Sequence, residues 1–446
     1  MIDALVTGRS LPALLVALDL AEVGLRVAVA GGPVEVPGAP ERDPEGAVEG
    51  FLTRIAAPIE AGLDAAHGAG SAAAPLRRAP SPIWLPDRAG RWAPLSSPSS
   101  FGIPAVPLAS ENARLMGSGT ATRAYLDRLQ PLLTIGKTRT IGELVRRRMG
   151  RTVLERLVDP LVRERFGVAA SEVDVAIAAP GLNEALSRAG SLSGAVLANA
   201  DRHEARESTI EPVGGWKALT AALLARLSSY GVELPNPGVV EIEPEDEHWR
   251  VALEGPSGPS ITARAVVLDG VGRQPAERLL ESLAPRLIPR DYRAYAEIDI
   301  QAPEELDPEA SAIRTLGEWS LRVDPERDGG VRRAHFAGPA IERGSGGLER
   351  IRAAELAGDL TPGLAAAGLE PVPSAEWEID YRVAPFSTLE DRHRAEEALA
   401  ELAEADVGAP LLAVGRELHG DSLSQALESA HLGSVALRRR LLGLTE

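Results

Sequence analysis

The first thirty residues constrain the fold most. MIDALVTGRSLPALLVALDLAEVGLRVAVAGG reads as a short apolar run at 2–7, a turn opened by Gly8, a helical pattern over 11–24 closed by Gly24, and a second apolar run at 25–30. Two buried-strand candidates around one helix within about thirty residues are the layout of a βαβ dinucleotide-binding unit. Such a unit cradles a pyrophosphate on a G-x-G-x-x-G turn. The first glycine makes the tight bend, the second lets the backbone approach the phosphates, and the third lets helix and strand pack closely. Here the six residues are Gly8, Arg9, Ser10, Leu11, Pro12 and Ala13. Gly8 supplies the bend, Ser10 puts a side chain at the closest phosphate approach, and Ala13 is a mild version of the third glycine. Pro12 falls in the first helical turn, where a missing N–H costs little, but it removes a donor if it lies among the N–H groups aimed at a phosphate.

At the end of the second strand a carboxylate would hydrogen-bond the ribose. That place falls at Gly31, and the next acid is Glu35, beyond Pro33.

A chain of 446 residues is too long for one ordinary core and predicts two or three packed subdomains. Its net charge of −17 argues against a nucleic-acid partner, which is held by clustered Lys and Arg. The absence of cysteine removes disulfides, thiol nucleophiles and Cys-ligated metals together. Arg9, Asp19 and Glu22 interrupt the first apolar stretch, no basic segment precedes it, and no other run reaches the length of a membrane span. A soluble, cytoplasmic protein is expected.

Further along, 31–50 is loop-like. The Pro-rich stretch 68–110 reads as a long connection with short strands around Trp84 and Trp92, and 110–200 is helical. GGWKALTAALLARLSSYGVEL gives a glycine turn, a helix and a strand start. VVEIEPEDEHWRVALEG gives a strand pair, and ARAVVLDG a buried strand. Residues 291–385 are strand-rich. A helix at 389–405, a strand PLLAVG, a glycine turn and a last helix close the chain. Alternating elements at both ends, with inserts between, predict a nucleotide-type domain assembled from separated pieces.

This order of segments resembles the protoporphyrinogen oxidase family, within the flavin-dependent amine oxidase superfamily. The most specific match is TIGELVRRRMGRTVLERLVDPLV at 140–162. A second is GGWKALTAALLARLSSYGVEL at 214–234, followed by Val240, Trp249 and AVVLDG. A third is LLAVGRELHGDSLSQALESAHLG near the end. The resemblance implies an α/β fold: a Rossmann-like FAD-type domain built from 1–75, 200–275 and 385–446, a mixed-sheet substrate domain from 76–109 and 276–384, and a helical subdomain over 110–199. It implies FAD as cofactor, held through Gly8, Ser10, Ala13, Val240, Gly415 and Gly420. It also implies a porphyrinogen or another bulky apolar substrate, with Arg163 and Arg165 as carboxylate-binding candidates, since a guanidinium pairs with a propionate bidentately.

Several departures bear on that cofactor. The family's Arg-x-Gly-Gly segment has no clear counterpart in PVEVPGAPERDPEG. In the closing turn, Asp421-Ser422 replaces a small apolar residue and a glycine, and a carboxylate there would face phosphate or compete for the helix N-terminus. Arg163-Glu164-Arg165-Phe166 stands where relatives have a glycine pair beside a Tyr.

His419 and His431 match no compact metal spacing and read as surface or capping residues, with no metal site expected. The run Arg146-Arg147-Arg148 reads either as an anion-binding patch or as a solvated helix face. Trp216, Trp249 and Trp377 read as packing residues. Three functions stay open. One is an FAD-dependent oxidoreductase, which needs no particular catalytic side chain because the flavin does the chemistry. Another is a flavin-less family member, a pseudoenzyme that binds a tetrapyrrole or other apolar ligand or serves as a partner subunit or homo-oligomer. The weaker third is a nicotinamide dehydrogenase, which needs the same first turn. Membrane association is expected to be weak or absent.

Overall fold

The computed structural model describes residues 1–58, 71–130, 139–255, 259–270, 275–301, 303–326, 330–342, 353–405 and 407–444. The start of the 68–110 connection lies outside the described residues. Two compact units divide the chain. One comprises Met1–Ala79, Arg206–Pro289 and Arg392–Glu446, the other Pro80–Ala205 and Arg290–Asp391.

The first unit is built on the N-terminal βαβ: β1 (Ile2–Val6), α1 (Leu11–Ala21) and β2 (Val27–Val29). β1 pairs in parallel with β2 on one side and with the strand Ser260–Asp269 on the other, and Leu411–Val414 adds in parallel beyond that. A hairpin of Val239–Glu245 and His248–Leu253 joins antiparallel to the first half of Ser260–Asp269. Strands buried on both faces read as continuous apolar runs, as ALV, VAV and AVVL do here. Alternation then assigns each side chain to a layer. Ala4 and Val6 pack with α1 and the helices Gly215–Ser229 and Leu423–Leu441, while Leu5 packs on the other face with Trp249 and Leu280.

All eleven residues of α1 are buried, which is why its sequence carries no polar stripe. The one acid in it, Asp19, is satisfied where it lies. Arg54 reaches it at 2.5 Å, His431 Nδ1 at 2.9 Å and Ser434 Oγ at 2.5 Å. His431 is at the surface, as expected, and bonds from there to the buried carboxylate. Burial pushes the His419 imidazole down to about 4. Trp216 and Trp249 are core residues whose indole N–H groups donate to Ala39 O at 3.0 Å and Pro410 O at 3.1 Å.

The second unit holds an eight-stranded mixed sheet and a helical layer. Its central strand Asp291–Gln301 alternates cleanly. Ala294, Ala296, Ile298 and Ile300 pack with Leu356, Leu360 and Leu364 of the helix Ala353–Ala366, while Tyr295, Glu297 and Asp299 project from the other face. Trp377 packs in that layer with its ring 5.5 Å from Phe336.

Helices between Ser110 and Glu207 carry the 140–162 segment. Thr140 caps Ile141–Arg148 by accepting from Glu143 N at 3.4 Å. Within the Arg146–Arg148 run, Arg146 and Arg147 are exposed, but Arg148 is buried and donates to Asp127 at 2.5 Å and to Gly190 O at 3.0 Å. This corrects both readings of the run for Arg148. The helix has turned it toward the interior, where it ties Asp127 to the chain around 190. Among the described residues, no helix is long and apolar enough to cross a membrane.

Candidate functional site

In an open α/β sheet, ligands bind beyond the carboxyl ends of the parallel strands. In the first unit those ends bring together Gly8 after β1, Gly31 after β2, Gly270 after Ser260–Asp269 and Gly415 after Leu411–Val414. A Cβ on Gly31 would lie 3.4 Å from Gly8 Cα, and one on Gly415 would lie 3.5 Å from Gly270 N. Both glycines have positive φ, +136° and +145°, so they supply a backbone bend and a close approach together. Four separated stretches of sequence thus converge on one edge.

The first turn is well formed. Ser10 is the N-cap of α1, with its hydroxyl accepting from Ala13 N at 3.4 Å, and Pro12 occupies the first helical turn. Ala13 is fully buried against the sheet, so it performs the packing expected of the third position. The N-terminus of a buried helix calls for an anion, and the chain supplies one. Asp269, at the end of its strand, accepts the Ser10 backbone N–H at 2.8 Å on Oδ2 and pairs with the Ser10 hydroxyl through Oδ1. Thr7 Oγ1 accepts the Asp269 backbone N–H at 3.0 Å, so the two strand ends are locked together. Asp269 is buried.

The rest of the turn is also engaged. Arg9 turns its guanidinium onto the carbonyls of Leu234 and Pro235, both at 3.1 Å. The segment after β2 runs alongside: Glu35 N donates to Arg9 O at 3.0 Å, and Ser10 and Glu35 form a parallel bridge. Gly31 occupies the position of a ribose-binding acid, and Glu35 docks by its backbone.

At the closing turn, Gly420 has φ +58° and ends the single helical turn Arg416–His419. The carboxylate of Asp421, just before the helix Leu423–Leu441, faces an arginine of the same turn. Ser422 caps that helix by accepting from Gln425 N at 3.3 Å, and Asp421 lies 3.1 Å from Arg416 Nε. Arg416 also reaches Glu41 with two nitrogens, at 2.6 and 3.2 Å. Burial alone would lower the Arg416 pKa, but Glu41 and Asp421 outweigh it and hold the charge firmly. Nearby, Asp43 accepts from Val48 N at 3.0 Å, Glu49 N at 2.9 Å and Ser424 Oγ at 2.7 Å, filling the N-terminus of the helix Ala47–Ala56. Val240 lies on the hairpin, at the register shift between Val239 and Glu241, and is 52 % exposed.

These residues provide a test of fit for the FAD that the resemblance implies. A pyrophosphate on this turn would need the Ser10 N–H, which Asp269 already holds, and would set its charges beside that carboxylate. Two like unit charges 4 Å apart repel by roughly 4 kcal/mol at an effective dielectric of about 20. Of the two arginines at the edge, Arg416 is held by Glu41 and Asp421, and Arg9 donates to two backbone carbonyls through one nitrogen while its buried Nε has no hydrogen-bond partner among the described residues. As arranged, the residues do not fit the pyrophosphate of FAD at the first turn.

In the second unit, Arg163 pairs with Asp159 at 2.6 Å within its own helix, and Arg165 stacks its guanidinium 5.8 Å from the Phe101 ring centre. Glu164 between them lies 3.5 Å from Arg322 on the sheet. The helix Asp159–Phe166 is anchored by Arg293, which donates to the carbonyls of Arg163, Glu164 and Arg165 at 3.0–3.1 Å. Sequence reasoning did not single out Asp269, Glu41, Asp43 or Arg416. The one readable signal was an acid closing the buried run AVVL immediately before a glycine.

No protein-family model matches the sequence, and no curated protein matches it. Solved structures do. A protein from Exiguobacterium sp. 255-15 named as a protoporphyrinogen oxidase is similar over 98 % of this chain and 99 % of its own, with a TM-score of 0.70 at 16 % identity. A reduced UDP-galactopyranose mutase is similar over 100 % and 96 %, with a TM-score of 0.60 at 12 % identity. Cyclohexylamine oxidase from Brevibacterium oxydans IH-35A is similar over 99 % of both chains, with a TM-score of 0.53 at 13 % identity. The fold is therefore the α/β fold, with a Rossmann-like unit, that protoporphyrinogen oxidase-like proteins share with flavin amine oxidases. At these identities the likeness establishes the fold; activity has to be argued from the site.

Proposed function

We propose that this chain is a protoporphyrinogen oxidase-like protein that keeps the scaffold of a flavin-dependent oxidoreductase with its pyrophosphate turn closed. It would act as a flavin-less binder of a tetrapyrrole or other bulky apolar ligand, or as a partner subunit. The observation that carries this reading is the Asp269 carboxylate on the Ser10 N–H at 2.8 Å. Gly31 at the ribose position and the Arg416–Glu41–Asp421 cluster add to it.

Likeness along the whole chain to the oxidases supports a second reading, FAD-dependent oxidation of a porphyrinogen or a similar apolar substrate. One measurement separates the two. Freshly purified protein is expected to lack flavin absorption bands and to gain no melting temperature on adding FAD, because a ligand that binds the native state must raise it. A yellow protein with stoichiometric FAD would overturn the flavin-less reading and restore the second. Neither reading places an anionic bilayer among the partners of a protein with a net charge of −17. Liposome flotation, with the protein left in the unfloated fraction, checks that.

A further inference from the structure

The geometry points to Asp269 as a built-in occupant of the pyrophosphate position, a side chain of this protein that supplies the anion its dinucleotide turn was shaped to receive. This rests on the closed-turn reading above and names the residue that closes the turn. Three observations converge on it. The Asp269 carboxylate takes the Ser10 N–H at the start of α1, where backbone dipoles and free N–H groups favour negative charge. It also pairs with the Ser10 hydroxyl, so the serine that replaces the second glycine is a partner of Asp269 and more than a residue that fits the space. Finally, it fills the space that the absent side chain of Gly8 leaves: a Cβ on Gly8 would meet Oδ2 at 2.3 Å and Asp269 Cβ at 2.9 Å. Retention of Gly8 in a turn that has otherwise lost its glycine pattern then has a local cause. Asp269 needs the room.

An N-cap role alone would explain the hydrogen bonds, and removing it would only destabilise α1. Occupancy predicts something a cap does not, a gain of nucleotide affinity on removal. The test measures FAD binding by fluorescence anisotropy and equilibrium dialysis, with FAD itself as the probe, for the full-length protein and for Asp269→Asn, Asp269→Thr and Ser10→Gly. Asp269→Asn keeps the shape and removes the charge. Asp269→Thr also opens the space. Ser10→Gly leaves Asp269 in place without its hydroxyl partner. Melting of each variant without FAD reports whether it is folded, and a folded Thr variant, which removes both the charge and the occupant, suffices to decide if the others do not fold.

The two Asp269 variants are expected to bind FAD about a hundredfold more tightly than the parent, with Ser10→Gly between. Folded Asp269 variants that bind FAD no better than a parent without flavin would overturn the inference and remove Asp269 as the reason the turn is closed, while the protein would still stand as flavin-less. A parent that holds FAD stoichiometrically, with variants that bind more tightly still, would overturn the reading and keep Asp269 as a competitor. A parent that holds FAD and variants that lose it would overturn both. Failure of every variant to fold would show that Asp269 is a structural cap, and would equally overturn its assignment as a dispensable occupant.

Discussion

Gly8 and Asp269, far apart in sequence, occupy one volume: a Cβ on Gly8 would stand 2.3 Å from Asp269 Oδ2. The first glycine of the turn is thus required here by a protein carboxylate. Gly8→Ala is expected to push the carboxylate off Ser10 and leave a buried charge without its donors, at a cost of about 1–3 kcal/mol. Urea unfolding measures this. In an Asp269→Ala background the same change should cost far less, because the clash has gone. Equal costs in the two backgrounds would show that Gly8 and Asp269 are not coupled.

Arg148 provides a contrast within three consecutive arginines. It is 5 % exposed and reaches an Asp127 that is itself fully buried and also accepts from Leu192 N at 2.5 Å. Removing one member of a buried pair leaves the other charge uncompensated, which costs about 3–5 kcal/mol. Arg148→Met is therefore expected to lower the melting temperature by several degrees or to prevent folding. Arg147→Met, on the exposed side of the same helix, should change nothing measurable. Comparable effects from the two would mean that burial does not separate them.

What the sequence made legible was whatever repeats locally. The βαβ start, the helix at 215–229, the strand ending at Asp269 and the closing strand and helix are apolar runs and helical spacings that one stretch of chain reveals by itself. The candidate site was legible only as glycines. Asp269 meets Ser10 across 259 positions and Arg416 meets Glu41 across 375, so no local pattern records either pairing. A charged residue at the end of a buried strand looks the same whether it meets water, ligand or another part of the chain. For the same reason the three arginines look alike in sequence, since the partner that takes Arg148 inward lies 21 positions earlier, on the short helix Leu126–Leu129.

The Arg416–Glu41 pair tests whether the closing turn depends on its charges. The side chains are 24 % and 18 % exposed, and two nitrogens of Arg416 reach the carboxylate. Shielded, bidentate pairs are screened weakly by salt. Glu41→Gln is expected to lower stability by about 1–3 kcal/mol, a loss that persists in 1 M NaCl. The Arg151–Glu155 pair is 81 % and 52 % exposed, and Glu155→Gln should leave the melting curve unchanged. A Glu41→Gln effect that disappears in salt would make the pair an ordinary surface contact.

On the polar face of the second unit's sheet, His335 Nε2 lies 2.8 Å from Asp324 and its Nδ1 lies 3.2 Å from Glu297. Burial opposes the imidazolium, but the two carboxylates outweigh it and raise the His335 pKa to about 9. Burial likewise opposes the Glu297 charge, and His335 and Arg333 outweigh it, lowering that carboxyl to about 2. The signs then follow from linkage. A raised histidine stabilises fully below its unfolded value of about 6.5 and loses that contribution as pH rises through about 9. A depressed carboxylate stabilises fully above its unfolded value of about 4.3 and loses that contribution as pH falls through about 2. The network should therefore be strongest between about pH 4.5 and 6.5 and should weaken on the alkaline side first. His335→Gln is expected to cost most near pH 6 and almost nothing near pH 10, as read from urea midpoints of wild type and variant across that range. A stability difference that stays constant from pH 6 to pH 10 would show that the imidazole is neutral in the folded protein and that the two carboxylates are held by Arg333 and Arg322 alone.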